Sequence, residues 1–229
     1  MRVLVACEES QTVCKAFRAL GHEAYSCDIQ PCSGGHPEWH ILGDVFNYIN
    51  GILCPDCLGL GYSIALKQDC KSCNGEGWIK WDLMIGHPEC RYIANSGVHW
   101  LHRIPGRWEK MVAGANFFKA LWDSNIPLIA LENPIPHKYA LEIIGKKYDQ
   151  IIQPHQFGNP ESKATCLWLK GLPKLGYTNI LIKPESGHWN NQTPSGQNKL
   201  GPSPERAKLR SKTYQGIADA MANQWGGLK

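Results

Sequence analysis

Residues 2–28 read RVLVACEESQTVCKAFRALGHEAYSCD, and this stretch decides the fold. Arg2 to Ala6 is a short β-branched run suited to a buried strand, and it breaks into the polar loop Cys7-Glu8-Glu9-Ser10. From Thr12 to Leu20 apolar residues recur at helical spacing through Val13, Ala16, Phe17 and Leu20, with Ser10 or Thr12 as the expected cap and Gly21 as the stop. Glu23 to Asp28 is a second strand, and it finishes in an acid. Strand, loop, helix, strand, acid is the opening of a doubly wound, mostly parallel α/β sheet. In such sheets the first loop and its helix receive a ligand's polar end, and the acid closing the second strand accepts ribose hydroxyls, a role for which Asp28 is placed. CEES stands where glycines would let a pyrophosphate approach, so a nucleoside cofactor without a pyrophosphate fits better than a dinucleotide. A third segment, His40 to Leu42, ends at Gly43-Asp44 and offers a second acid at a strand end, with a solvated loop aspartate as the plainer alternative.

Further along, WDLMIGHPECRYIANSG (residues 81–97) repeats the pattern of strand and polar loop. Leu83, Met84 and Ile85 suit a strand buried on both faces, and Gly86-His87-Pro88 ends it and delivers Cys90 into a loop. A single cysteine is ordinarily a packing residue, so Cys90 needs partners to count as a nucleophile. Pro127 to Glu132 (PLIALE) supplies one: a second apolar strand, terminated at Asn133-Pro134, brings Glu132 to the same kind of edge. Between them lies the His-, Trp- and Arg-rich SGVHWLHRIPGR (residues 96–107) and a helix from Trp108 to Trp122 with Met111, Ala115, Phe118 and Leu121 on its buried face. Tyr139 to Ile144 reads as a helix, Gln150 to Gln153 and Thr165 to Leu169 as strands, Ser203-Pro204-Glu205 as a helix start, and Thr213 to Trp225 as a closing amphipathic helix.

The α/β rhythm is interrupted by CPDCLGLGY and CKSCNGEGW, each a C-x-x-C-x-G-x-G followed by an aromatic residue. Each CxxC forms a knuckle presenting two thiolates to one metal, and the glycines permit the turns that bring amides towards sulfur. Cys54, Cys57, Cys70 and Cys73 together predict a closed, structural zinc site, with no coordination position left for catalysis. The expected organisation is an α/β domain over residues 1–50 and 79–170, a zinc-knuckle insertion over 51–78, an irregular target-recognition loop over 171–204, and a C-terminal helical segment over 205–229 returning to the core.

The chain has 229 residues, a net charge of +4 and 43% apolar residues, which fits one main globular domain with an insertion. Lys199, Arg206, Lys208, Arg210 and Lys212 cluster in the last third, so nucleic acid is permitted as a partner. No apolar run approaches the roughly 18 residues of a membrane span, and the N-terminus runs directly into a charged loop. With ten cysteines, four of them in CxxC pairs, reduced thiols and a metal are expected in place of disulfides, in the cytoplasm.

A thiolate and a carboxylate at neighbouring strand ends beside a nucleoside pocket suit substitution at a pyrimidine: sulfur adds to carbon 6, and an acid at N3 eases that addition. The order of motifs resembles that of DNA cytosine-5 methyltransferases, and more closely a compact branch encoded by bacteriophages. VLVACEES stands where that family has its first S-adenosylmethionine motif, Asp28 and Gly43-Asp44 match its ribose and adenine acids, HPEC with Asn95-Ser96-Gly97 resembles its nucleophile loop, LENP (131–134) its Glu-Asn motif, and Ser211 to Trp225 the segment that packs back beside the cofactor. The resemblance implies a Rossmann-like methyltransferase fold in a bacterial host, cofactor contacts from Cys7, Glu8, Asp28, Asp44 and Pro88, Cys90 as nucleophile, Glu132 as the acid at N3, and DNA as substrate with the target base flipped out. Three positions depart from the family: Glu89 stands where it has proline, the first loop lacks its glycines, and Gln153-Pro154-His155-Gln156 lies near the place of its arginine motif. Beside Cys90, Glu89 is expected to raise the thiol pKa unless His87 or Arg91 offsets it. The alternatives are modification of another pyrimidine or a free nucleotide, an inactive DNA-binding scaffold, and a Cys-His hydrolase built on Cys90 with His87 or His99.

Overall fold

The computed structural model describes residues 1–54, 56–63, 67–201, 203 and 206–228. Seven strands form the main sheet: β1 (Arg2–Ala6), β2 (Glu23–Asp28), β3 (His40–Leu42), β4 (Leu83–Gly86), β5 (Leu128–Pro134), β6 (Gln150–Ile152) and β7 (Thr165–Lys170). Their spatial order is β6-β7-β5-β4-β1-β2-β3, with β7 antiparallel to both of its neighbours and the remaining pairs parallel. The chain thus winds outward from β1 in one direction and then from β4 in the other, and the crevice at the carboxyl ends of β1 and β4 is the switch point where such sheets bind ligands. This is the doubly wound, mostly parallel α/β architecture that the first 28 residues lead one to expect.

Alternation along the strands divides the core in two. Val3, Val5, Leu83, Ile85 and Leu167 pack under α1 (Thr12–Ala19) and α5 (Gln215–Trp225), against Phe17, Ile217, Met221 and Trp225. Leu4, Ala6, Met84, Ile129, Leu131 and Trp168 pack under α2 (Arg107–Trp122) and α3 (Lys138–Ile144), against Met111, Phe118, Leu121 and Ile144. A central strand therefore has no polar face, which explains its continuous apolar run. Residues 171–201 contain no helix or strand, and α4 (Arg206–Ser211) precedes α5. The expected helix start at Ser203-Pro204-Glu205 lies largely outside the described residues.

Two local expectations are corrected. Neither Ser10 nor Thr12 caps α1: Gln11 is the N-cap residue, left-handed at φ 57°, and the buried first-turn amides of Val13 and Cys14, which have no intrahelical acceptor, donate instead to the buried Glu8 carboxylate. Strand β5 does not stop at Glu132 but runs through Pro134, because β7 pairs with it as far as Thr165 opposite Pro134.

The insertion is closed at its base by pairing of Ile52–Leu53 with Trp78–Ile79, and Tyr62–Ser63 pairs with Gln68–Asp69 further out. Its two halves are structurally equivalent. Gly61 donates to Cys57 Sγ at 3.3 Å and Gly77 to Cys73 Sγ at 3.2 Å, while Cys70 donates to the Gly61 carbonyl and Cys54 to that of Gly77. Gly61 and Gly77 are left-handed, and a Cβ on either would come within 2.2 or 2.3 Å of a carbonyl oxygen in the other half. The Arg2 side chain joins the insertion to the sheet, donating to the Ser72 carbonyl and pairing with Glu23.

Candidate active site

Register assembles the site. Ala6, Gly86 and Leu131 lie side by side on β1, β4 and β5, so the next residues of the three strands, Cys7, His87 and Glu132, emerge together at the carboxyl edge. Beyond β1 on the other side, Cys27 lies opposite Ala6, and Asp28 follows it. Asp28 is opposite Leu42, and Gly43-Asp44 follow that.

On the β4–β5 side, His87 Nδ1 lies 3.0 Å from Glu132 Oε2, Thr213 Oγ1 donates to the same oxygen at 3.4 Å, and Lys163 Nζ is 3.9 Å from Oε1. The His87 and Glu132 side chains are 11% and 10% exposed. Burial alone would push the Glu132 carboxyl up, but Lys163, His87 and Thr213 overcome it and hold its pKa at about 2. Burial likewise opposes protonation of His87, yet its hydrogen bond to Glu132 and the charges of Glu132 and Glu8 raise its pKa. The arrangement thus favours the protonated form of His87 beside an ionised Glu132. His87 Nε2 is buried with no hydrogen-bond partner among the described residues.

Cys90 begins the turn after β4, its carbonyl accepting from Ala94 at 2.9 Å. The loop is braced by the one after β5: Asn133 Nδ2 donates to the Pro88 carbonyl at 2.9 Å, Asn95 N to the Ile135 carbonyl, and His137 N to that of Ile93. Burial raises the Cys90 thiol above its ordinary value, Glu132 and Glu89 add to the rise, and Lys163 is the chief charge opposing it. Glu89 itself is exposed and is the smallest of these influences. The offset expected from His87 or Arg91 comes instead from Lys163: His87 is turned onto Glu132, and Arg91 lies over the Tyr92 ring at 5.5 Å.

Nothing in the sequence singles out Lys163. It stands just before β7, and because β7 runs antiparallel, its entrance lies at the edge where the parallel strands end. Gln153, in the segment Gln153-Pro154-His155-Gln156, holds it there by accepting from the Lys163 amide at 2.9 Å, and Asn191 accepts from Ser162 at 3.0 Å. His155 of that segment does not reach Glu132 but stacks on Trp189 at 4.4 Å and 7°.

On the β1–β2–β3 side, Cys7, Asp28 and Asp44 lie within electrostatic reach of one another. Burial, then the charges of Asp28 and Asp44, push the Cys7 thiol up to about 12, so it is a neutral group. Burial also raises the Asp28 carboxyl, which accepts from the Gln30 amide at 2.9 Å, and Asp44 accepts from that of Phe46 at 3.0 Å. Glu8 is turned inward, its two oxygens taken by α1. Its neighbour Glu9 acts on Asp28 and buries Oε2 with no hydrogen-bond partner among the described residues, an orphaned acceptor suited to a ligand's ammonium group or hydroxyl. The doublet Glu8-Glu9 does not by itself reveal which of the two is spent on the helix.

The sulfurs of Cys54, Cys57, Cys70 and Cys73 all lie within 4.8 Å of one another, with Cys54–Cys70 at 3.8 Å and Cys57–Cys73 at 3.7 Å. Sulfurs at about 2.3 Å from a tetrahedral zinc are about 3.8 Å apart, so the four thiols can hold such an ion.

The fold and the crevice define the class: a Rossmann-like α/β protein whose switch point carries a thiol, an ion-paired carboxylate and two strand-end acids. No family model matches the chain, and no curated protein matches it. Among solved structures it is similar to a candidate DNA modification methyltransferase encoded within an Escherichia coli prophage, at 13% identity and a TM-score of 0.37 over 74% of this chain and 46% of that one. The chain thus spans about half the length of that neighbour, and a likeness so distant bears on neither activity nor substrate. No helix among the described residues is long and apolar enough to cross a membrane.

Proposed function

We propose that the protein is a methyltransferase that uses S-adenosylmethionine to methylate carbon 5 of cytosine in DNA, through a covalent bond between Cys90 and carbon 6. The observation that carries this reading is the convergence of Cys90, Glu132 and Lys163 from three separate segments on the switch-point edge. Lys163 stabilises the Cys90 thiolate. As the sulfur bonds to carbon 6, the C5=C6 electrons move towards carbon 5, and N3 gains a proton held at Glu132. Once carbon 5 carries the methyl group, its proton passes to water as the C5=C6 bond re-forms and Cys90 leaves as thiolate, and the N3 proton returns to Glu132.

S-adenosylmethionine would supply an electrophilic methyl group. Its ammonium group suits the unpartnered Glu9 Oε2, its ribose hydroxyls Asp28, and its adenine amine Asp44. The neutral Cys7 thiol lies among these acids, and Pro88, whose carbonyl is held by Asn133, is assigned a cofactor contact at the start of the nucleophile loop. Arg91, Arg107 and Lys110 stand around the Tyr92 ring at 5.5, 5.3 and 5.9 Å beside the nucleophile loop, and with the exposed Trp100 and Trp108 they form a surface for phosphates and for the gap left by a flipped base. The cysteine cluster is assigned a structural zinc. A hydrolase is disfavoured because, among the described residues, no hydrogen bond joins Cys90 Sγ to a histidine.

Incubation with methyl-labelled S-adenosylmethionine and cytosine-containing duplex DNA tests the assignment. Label recovered as 5-methylcytosine with the native protein, and lost with Cys90→Ser, is expected. Label absent from native reactions, or undiminished in the variant, excludes it, and salt-dependent DNA binding without transfer would leave the inactive scaffold.

A further inference from the structure

An ionised carboxylate cannot donate a proton, and Glu132 is buried between two cations, so the cytosine reading needs a proton source behind it. Of the groups around it, Lys163 faces Oε1 at 3.9 Å, Thr213 reaches Oε2 at 3.4 Å, and His87 Nδ1 meets Oε2 at 3.0 Å. An imidazolium releases its proton near neutrality, whereas an ammonium or a hydroxyl does not. The charges facing His87 are those of Glu132 on β5, Glu8 after β1, and Lys163 before β7. Its Nε2 is buried without a partner, so Nδ1 offers the one hydrogen-bonded route for its proton among the described residues.

We propose that His87 is the positioning residue and proton store for Glu132: it gives its Nδ1 proton to Oε2 as Cys90 adds to the ring, and takes it back when the sulfur leaves. The proposal rests on the cytosine reading. In the forward step the N–H bond of His87 breaks and an O–H bond forms on Glu132. That carboxylic acid yields its proton to N3: as sulfur adds to carbon 6 the C5=C6 pair becomes a C4=C5 bond, and the C4=N3 π pair moves onto N3. The thiolate charge is thereby neutralised, and His87 ends as neutral imidazole. The two surrounding acids, Glu132 and Glu8, favour the charged form of His87 until then, against burial and the charge of Lys163, consistent with its raised pKa.

Exchange of the carbon 5 hydrogen needs only sulfur addition and proton delivery, so it is measurable on the full chain without S-adenosylmethionine, as tritium released from 5-tritiated cytosine DNA. The native rate is expected to rise with pH as Cys90 ionises and to fall again as His87 loses its proton. His87→Asn retains an N–H towards Glu132 but cannot release a proton; its rate should drop about 100-fold at neutral pH, and the descending limb should vanish. His87→Gln is read in the same way if the asparagine variant fails to unfold cooperatively. A folded variant with the native rate and profile overturns this proposal alone. Native protein that releases no tritium overturns the cytosine reading and the proposal with it.

Discussion

At the carboxyl end of β5 one carboxylate gathers side chains from three other stretches of chain: His87, Lys163 and Thr213 all converge on Glu132. Holding that group at about 2 against an ordinary 4.5 corresponds to roughly 3 kcal/mol of folding free energy near neutrality. Because the folded-state value is depressed, the contribution is present above the ordinary carboxylate range and fades as pH falls from about 4.5 towards about 2. Urea unfolding of Glu132→Gln should accordingly show a loss of about 3 kcal/mol at pH 7 and a smaller one at pH 3. At Cys90 the direction is opposite. Its raised pKa means that alkylation becomes fast only at a higher pH than for an ordinary thiol, and Lys163→Met should move that rise further upward, as mass-resolved alkylation from pH 7 to 10 would record. Cys90 and Glu132 can be picked out in the sequence as candidates because Cys90 lies in the loop that follows one apolar run and Glu132 is the first polar residue after another. Lys163, Glu9 and Thr213 are not, since each lies in a polar stretch where nothing local separates a site residue from a solvated one.

Strands and helices are largely readable because buried parallel strands write themselves as short continuous apolar runs, as in Leu83-Met84-Ile85. Strand direction is hidden: no periodicity distinguishes an antiparallel β7 from a parallel one, and that reversal brings Lys163 to the site. The true cap of α1 is equally hidden, because the Glu8 carboxylate reaches the Val13 and Cys14 amides from before the left-handed Gln11. In the insertion the CxxCxGxG repeat announces its own geometry. Gly61 is left-handed, donates to Cys57 Sγ and sits against the Gly75 carbonyl, so Gly61→Ala should weaken zinc binding by about 10- to 100-fold in a chelator competition. Cys70→Ser should abolish stoichiometric zinc while leaving the helical circular dichroism of the main domain, since the insertion has a small apolar cluster of its own.

Across the molecule, the winding of the sheet concentrates both halves of the proposed chemistry on one edge: strand-end acids beside β1 to β3, and thiol, imidazole and ammonium beside β4, β5 and β7. The cations around Tyr92 flank the same edge, and replacing Arg91, Arg107 and Lys110 with alanine should shallow the salt dependence of DNA binding by about 0.9 in log–log slope for each phosphate that is no longer neutralised. That the chain winds doubly is visible in its first 28 residues; that the irregular 171–201 stretch leans on the site through Asn191 and Ser162 is not, since contacts between loops leave no periodic trace. The central claim is that the Cys90 sulfur attacks carbon 6 of a cytosine. DNA carrying 5-fluorocytosine tests it most directly, because the fluorine at carbon 5 cannot leave as a proton does and the adduct is frozen. With S-adenosylmethionine present, the native chain should form a denaturation-resistant complex with the DNA, mapped by mass spectrometry to Cys90 and absent in Cys90→Ser. No complex, or an equal one in the serine variant, would contradict the claim.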